Sequence, residues 1–157
     1  MNNNSLERTL SIIKPDAVER ELEIKIKKIF LDNQLNIVDS KKIQISKEEA
    51  EKFYKVHQTK PFYEKLCTYL SSGPIIVIIL DGENAIQKNR DLMGATNPKK
   101  AKDGTIRKLY GISIDKNSVH GSDSPENAKA EIDFFLINSD IYFINLSVFE
   151  GLPPLFL

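Results

Sequence analysis

Residues 75–80 read Ile-Ile-Val-Ile-Ile-Leu, an unbroken apolar run that is β-branched at every position but the last. Ser72-Gly73-Pro74 stands before it and Asp81-Gly82 after it. A short apolar run between such breakers is a central strand, buried on both faces. It is far too short to cross a bilayer, which takes about 20 apolar residues as a helix. A sheet therefore passes through the middle of this chain, and both of its faces need cover.

The flanking segments supply that cover. Residues 9–13 form a short β-rich run that ends at Lys14-Pro15-Asp16. Apolar residues then recur at Leu22, Ile26, Ile29 and Phe30, the period of an amphipathic helix, and Asn36 closes that region. Residues 37–45 predict a second strand. Ser46-Lys47-Glu48-Glu49 is a capping box opening a helix, and Pro61 restarts one through Phe62, Leu66, Tyr69 and Leu70. Asp81-Gly82 predicts a turn into a helix over 84–93. Residues 94–116 show no sustained period and carry Lys99, Lys100, Lys102, Arg107 and Lys108. A structureless loop of that length in a compact domain is usually functional. The order is strand, helix, strand, helix, strand, helix, loop, short strand, helix. That is mixed α and β in layers, with the strand directions left open.

A chain of 157 residues is one domain, long enough for a real core. Its 22 basic and 22 acidic residues balance, so no bulk field draws it to nucleic acid or to an anionic membrane. The single cysteine, Cys67, permits no intrachain disulfide and suits a reducing compartment. It lies among Phe62, Leu66, Tyr69 and Leu70, so burial is expected. Met-Asn-Asn-Asn-Ser at the start has neither the cationic region nor the apolar run of a secretion signal, and a soluble cytoplasmic protein is expected.

The chemistry concentrates in residues 117–135. His120, one of two histidines, is followed by Gly121 and then by Ser122-Asp123-Ser124-Pro125, a helix start with a polar cap and proline at the first helical position. A histidine there sits where backbone N–H groups and the helix dipole favour an anion. On that helix Ala128, Ile132, Phe135 and Leu136 share the core face, and Glu131 falls at its border, placed to orient the imidazole. Lys14, Arg90 and Arg107, brought together from separate segments, suit a polyphosphate, and Thr96 and Asn117 add neutral donors. Singly, each has an ordinary reading as a surface histidine, a solvated acid or a solvated cation. There is no Walker-type Gly-Lys-Ser/Thr loop and no His/Cys cluster with zinc-ligand spacing.

Taken in order, Thr9-Leu-Ser-Ile-Ile-Lys-Pro-Asp-Ala-Val18, Lys60-Pro-Phe62, Ser72-Gly-Pro74, Asn89-Arg-Asp-Leu-Met-Gly-Ala-Thr-Asn-Pro98, Gly104-Thr-Ile-Arg107 and Asn117-Ser-Val-His-Gly-Ser-Asp-Ser124 resemble the nucleoside diphosphate kinase family. The resemblance covers about residues 8–135. It implies an α+β fold, a ferredoxin-like sandwich with an antiparallel four-stranded sheet covered by helices. It also implies transfer of the γ-phosphate of a nucleoside triphosphate, mainly ATP, to an active-site histidine and then to a nucleoside diphosphate, with Mg²⁺ carried on the nucleotide phosphates.

By motif, His120 would be the nucleophile, Glu131 would orient its ring, and Ser122 would hydrogen-bond that glutamate. Lys14, with Tyr54 close by, would serve the sugar 3′-hydroxyl and the transferring group. Arg90, Thr96 and Arg107 would hold phosphates and Asn117 the ribose. Phe62 would stack on the base between Leu66 and Ile114. No protein-bound metal and no specific nucleic acid are expected.

The family forms homo-oligomers, tetramers or hexamers. The resemblance is carried no further than Phe135, and in the tail over 136–157 the apolar Ile141, Tyr142, Phe143, Ile144, Leu146, Val148 and Phe149 predict a subunit contact. Ile24 stands where the family often has glycine, a change that bears on packing. A non-catalytic regulator would not need the complete set of His120, Lys14, Arg90, Arg107 and Asn117. A bare phosphohistidine carrier would not need Phe62 or Asn117.

Overall fold

The computed structural model describes residues 6–137. Strand β1 (Leu6–Ile13) leads through Lys14 into α1 (Pro15–Glu19) and α2 (Glu23–Asp32). Strand β2 (Asn36–Ile43) follows, then α3 (Lys47–Phe53), a 3₁₀ turn at Lys55–His57 and α4 (Tyr63–Leu70). Next come β3 (Ile75–Glu83), α5 (Ala85–Met93), a 3₁₀ turn at Pro98–Lys100 and α6 (Ile106–Tyr110). Strand β4 (Val119–Gly121) and α7 (Pro125–Ile137) complete the described chain.

The strands form one sheet in the order β2-β3-β1-β4, and every pairing is antiparallel. With helices against it this is the α+β sandwich that the resemblance implies. Side chains alternate across a strand, so the run in β3 divides between two cores. Ile75 and Val77 join Leu10, Ile12, Phe53, Leu70 and Phe135 under α3, α4 and α7. Ile76, Ile78 and Leu80 join Ile26, Phe30 and Met93 under α2 and α5. Each fully buried side chain of this size contributes about 1.5–3 kcal/mol relative to exposure. Cys67 is buried in the first core. Among the described residues no helix is long and apolar enough to cross a membrane.

Several boundaries differ from the sequence reading. Asp81-Gly82 is not a turn, because β3 runs on to Glu83, which pairs with Leu6 and extends β1 to the same point. Gly82 is there for space: a Cβ on it would lie 2.9 Å from the carbonyl oxygen of Gln34. β2 ends at Ile43, where the chain leaves toward Ser46, whose side chain accepts the Glu49 amide and caps α3. The loop over 94–116 holds a 3₁₀ turn and α6, a helix of five residues and too short to show a period. Leu136 is 48 % exposed, outside the core that takes Ala128 and Phe135. Ile24 projects from α2 at 81 % exposure. The expected tail contact lies outside the described residues.

Candidate active site

His120 is held from both sides. It sits on β4 opposite Ile12 of β1, and the Ser122 amide donates to the carbonyl of Leu10 at 3.1 Å. The helix behind it starts as its sequence dictates: Ser124 caps α7, its Oγ accepting the Asn127 amide at 3.1 Å. That start sets Glu131 so that Oε1 lies 2.7 Å from Nε2 of His120. Ser122 Oγ donates to the other carboxylate oxygen, Oε2. A carboxylate accepts, so Nε2 carries the proton and Nδ1 keeps its lone pair. Among the described residues Nδ1 has no hydrogen-bond partner. Phe53 and Tyr54 meet the imidazole edge-on, with ring centroids 5.4 Å and 6.0 Å away.

The ring opens onto a cleft of about 560 Å³. Lys14, Arg90, Thr96, Arg107 and Asn117 line it around His120. Phe62, Leu66 and Ile114 line it toward the mouth, where Phe62 is 49 % and Ile114 56 % exposed. Tyr54 and Glu131 complete the expected set, while Ser122 stands behind Glu131 and outside the lining. The sequence-predicted residues, drawn from positions 14 to 131, therefore meet in one place.

Lys14 extends Nζ to Asn117 Oδ1 at 2.8 Å, and Asn117 Nδ2 donates to the carbonyl of Thr96 at 3.1 Å. Burial pushes the Lys14 ammonium down to about 8, with the charge of Arg107 acting the same way. Arg107 donates to the carbonyls of Gly94 at 3.0 Å and Val119 at 2.9 Å, and its Nε is buried without a partner. Burial, and then the charge of Arg90, holds it down to about 10. Cations kept apart from water and close to one another are stabilised by an anion between them. The Tyr54 hydroxyl, also buried and unpartnered, is pushed well above its ordinary value by burial and then by Glu131.

Some lining groups escaped the sequence reading. His57 reaches the cleft beside Phe62, with ring centroids 6.1 Å apart. Asp123 also lines it, and a hydrogen bond from Asn127 followed by the charge of Arg90 keeps its carboxyl below the usual range. Asp123 was legible only as part of a helix cap.

The family model for nucleoside diphosphate kinase matches residues 7–141. A nucleoside diphosphate kinase of Campylobacter jejuni subsp. doylei is 57% identical over 137 residues, covering 87% of this chain and 100% of that protein. One from Persephonella marina is 52% identical over 137 residues, covering 87% and 98%. The fold matches the crystal structure of the Aquifex aeolicus nucleoside diphosphate kinase with a TM-score of 0.81 and 39% identity, over 83% of this chain and 95% of that one. The enzyme from Encephalitozoon cuniculi gives 0.80 and 38%, over 83% and 88%. On sequence and fold together, the chain belongs to the nucleoside diphosphate kinase family.

Proposed function

We propose that this nucleoside diphosphate kinase carries its phosphoryl group on Nδ1 of His120. The lone pair of Nδ1 attacks the γ-phosphorus of a nucleoside triphosphate, mainly ATP, and the bond to the β–γ bridging oxygen breaks. The nucleoside diphosphate leaves, and a terminal oxygen of a second diphosphate then takes the group from the histidine. Splitting one transfer into two similar halves is what a covalent intermediate achieves. The observation that supports this most is the His120–Glu131–Ser122 chain, which ties up Nε2 and leaves Nδ1 unpartnered beside clustered cations.

Glu131 orients the ring and stabilises the charge that develops on it as the N–P bond forms. Ser122 fixes Glu131. Lys14, Arg90 and Arg107 take the phosphates with Thr96, and Lys14 with Tyr54 serves the 3′-hydroxyl and the group in flight. Asn117 takes the ribose. Phe62 stacks on the base beside Leu66 and Ile114, which suits any base because every base has a π-face. Positioning and charge stabilisation of this kind carry most of phosphoryl transfer.

Mg²⁺ enters as part of the nucleotide substrate and neutralises charge on its phosphates. Among the described residues no three His, Cys, Asp or Glu stand together as a cage. Asp123, held ionised at the cleft wall, fits a water-bridged contact to such an ion.

We place the protein in the cytoplasm, as a single domain over 1–157 that assembles as a tetramer or hexamer, with no membrane or specific nucleic acid as partner. The tail over 136–157 is one proposed contact. The described surface suggests another, since β2 is an edge strand and Ile24, Leu31 and Val38 are exposed on it and on α2.

The test is labelling with Mg²⁺ and γ-labelled ATP, followed by transfer to a panel of nucleoside diphosphates. An acid-labile, alkali-stable phosphate lost in His120→Gln and kept in His57→Gln supports the assignment. The reverse pattern overturns it.

A further inference from the structure

Outside the cleft lies a buried carboxylate that this mechanism does not use. Asp16, on α1, is 6 % exposed and is gripped from several sides. The Tyr69 hydroxyl donates to its Oδ1 and accepts its backbone amide at 2.9 Å. Arg20 donates to Oδ2 at 3.1 Å and to the Asp16 carbonyl at 3.0 Å, and reaches on to the carbonyl of Tyr110 at 2.7 Å. Between Asp16 and Arg20 sits the hydroxyl of Ser118, 3.5 Å from Oδ2 and 3.4 Å from Nη2.

Ser118 is the odd residue of the site. It is fully buried and has φ of 76°, a left-handed conformation that side chains other than glycine, asparagine and aspartate seldom take. It is also the single residue between Asn117, which bonds Lys14, and β4, which carries His120. Its carbonyl accepts the Lys14 amide at 2.9 Å. Ser118 thus joins the partner of the ammonium to the strand of the imidazole, and its hydroxyl lies between the Asp16 carboxylate and the Arg20 guanidinium.

We infer that Asp16 is a positioning residue for phosphoryl transfer: with Tyr69 and Arg20 it holds Ser118 left-handed, and so fixes Lys14 and Asn117 relative to His120. This rests on the roles of His120 and Lys14 proposed above. The long contacts to Ser118 make the hold a matter of confinement between charged groups, not of one strong bond. Glycine adopts φ of this sign without strain, so at position 118 it would make the hold largely dispensable.

That dependence is the test. Asp16→Asn is made in the wild-type chain and in a Ser118→Gly background, and the rate of phosphorylation by Mg²⁺-ATP is followed in a single turnover. In the wild-type background the rate should fall about 10- to 100-fold, the order expected when reacting groups shift by an ångström. In the Ser118→Gly background the same substitution should cost at least about fivefold less, because the two residues act through one another. Equal losses in the two backgrounds, or no loss in the first, overturn the inference. If Asp16→Asn does not fold, Tyr69→Phe carries the same comparison while leaving the carboxylate in place. A wild-type chain that takes no phosphate overturns the underlying reading instead, and the inference with it.

Discussion

In the folded chain Nζ of Lys14 stands 2.8 Å from Oδ1 of Asn117, a residue 103 positions further along. The ammonium is buried and titrates near 8, against 10.5 for an ordinary lysine. Below about pH 8 it is charged in the folded and unfolded chain alike, and the cost of its burial is fully present. Between about 8 and 10.5 the folded chain releases the proton first, so this cost fades and its contribution to stability rises with pH.

A bound phosphate reverses the preference by favouring the charged form. Nucleoside diphosphate affinity should therefore fall as pH rises through about 8, and binding at that pH should take up a proton. Titration calorimetry in buffers of different ionisation heat measures the uptake, which Lys14→Met should remove. Binding without proton uptake would show that Lys14 does not face the phosphates.

Glu131→Gln should lower turnover between about 10-fold and 10⁴-fold, the span from orienting to proton-handling groups. Nucleotide affinity should change little, since the side chain is engaged by His120 and Ser122. Steady-state kinetics with an independent binding measurement separate the two. A variant with affinity lost and turnover kept would make Glu131 a substrate contact.

Gly111→Ala is expected to damage the proposed phosphate site from a distance. A Cβ there would meet the carbonyl oxygen of Arg107 and Cγ of Pro98, each at 2.5 Å. Since α6 carries Arg107, relieving that overlap displaces a proposed phosphate ligand. Overpacking of this kind costs about 1–3 kcal/mol, or a melting point lower by several degrees at roughly 2–4 °C per kcal/mol. The KM for nucleotide should rise alongside. A lowered melting point with unchanged KM would uncouple α6 from the site.

Truncation after Ile137 should reduce the assembly mass read by light scattering, if the apolar tail is a subunit contact. Burying even half of that apolar surface contributes several kcal/mol, at roughly 25 cal/mol per Å². Unchanged mass with a lower melting temperature would assign the tail to its own fold.

What could be read in advance followed from how local each signal is. The run at 75–80 needed no neighbours to declare a two-sided strand, and Ser46 and Ser124 cap their helices as their spacing indicates. Strand direction is a long-range property, so it came only through the resemblance. Gly82 was misread as punctuation because its purpose, room for the backbone at Gln34, lies in another part of the chain. The site residues were legible as motifs. Their linkage was not, and neither the Lys14–Asn117 bond nor the grip on Ser118 leaves any trace in spacing.

The sheet order has a consequence for synthesis. β1 is made first, yet one of its two neighbours, β4, is among the last described elements to be translated. Until residue 121 leaves the ribosome, that flank of β1 is an open template of the kind that recruits other chains. The nascent protein meanwhile holds Lys14, Tyr54 and Phe62 but neither His120 nor its partner Glu131, which arrives with α7. Early release of the chain would therefore leave the cleft without the wall that β4 and α7 supply.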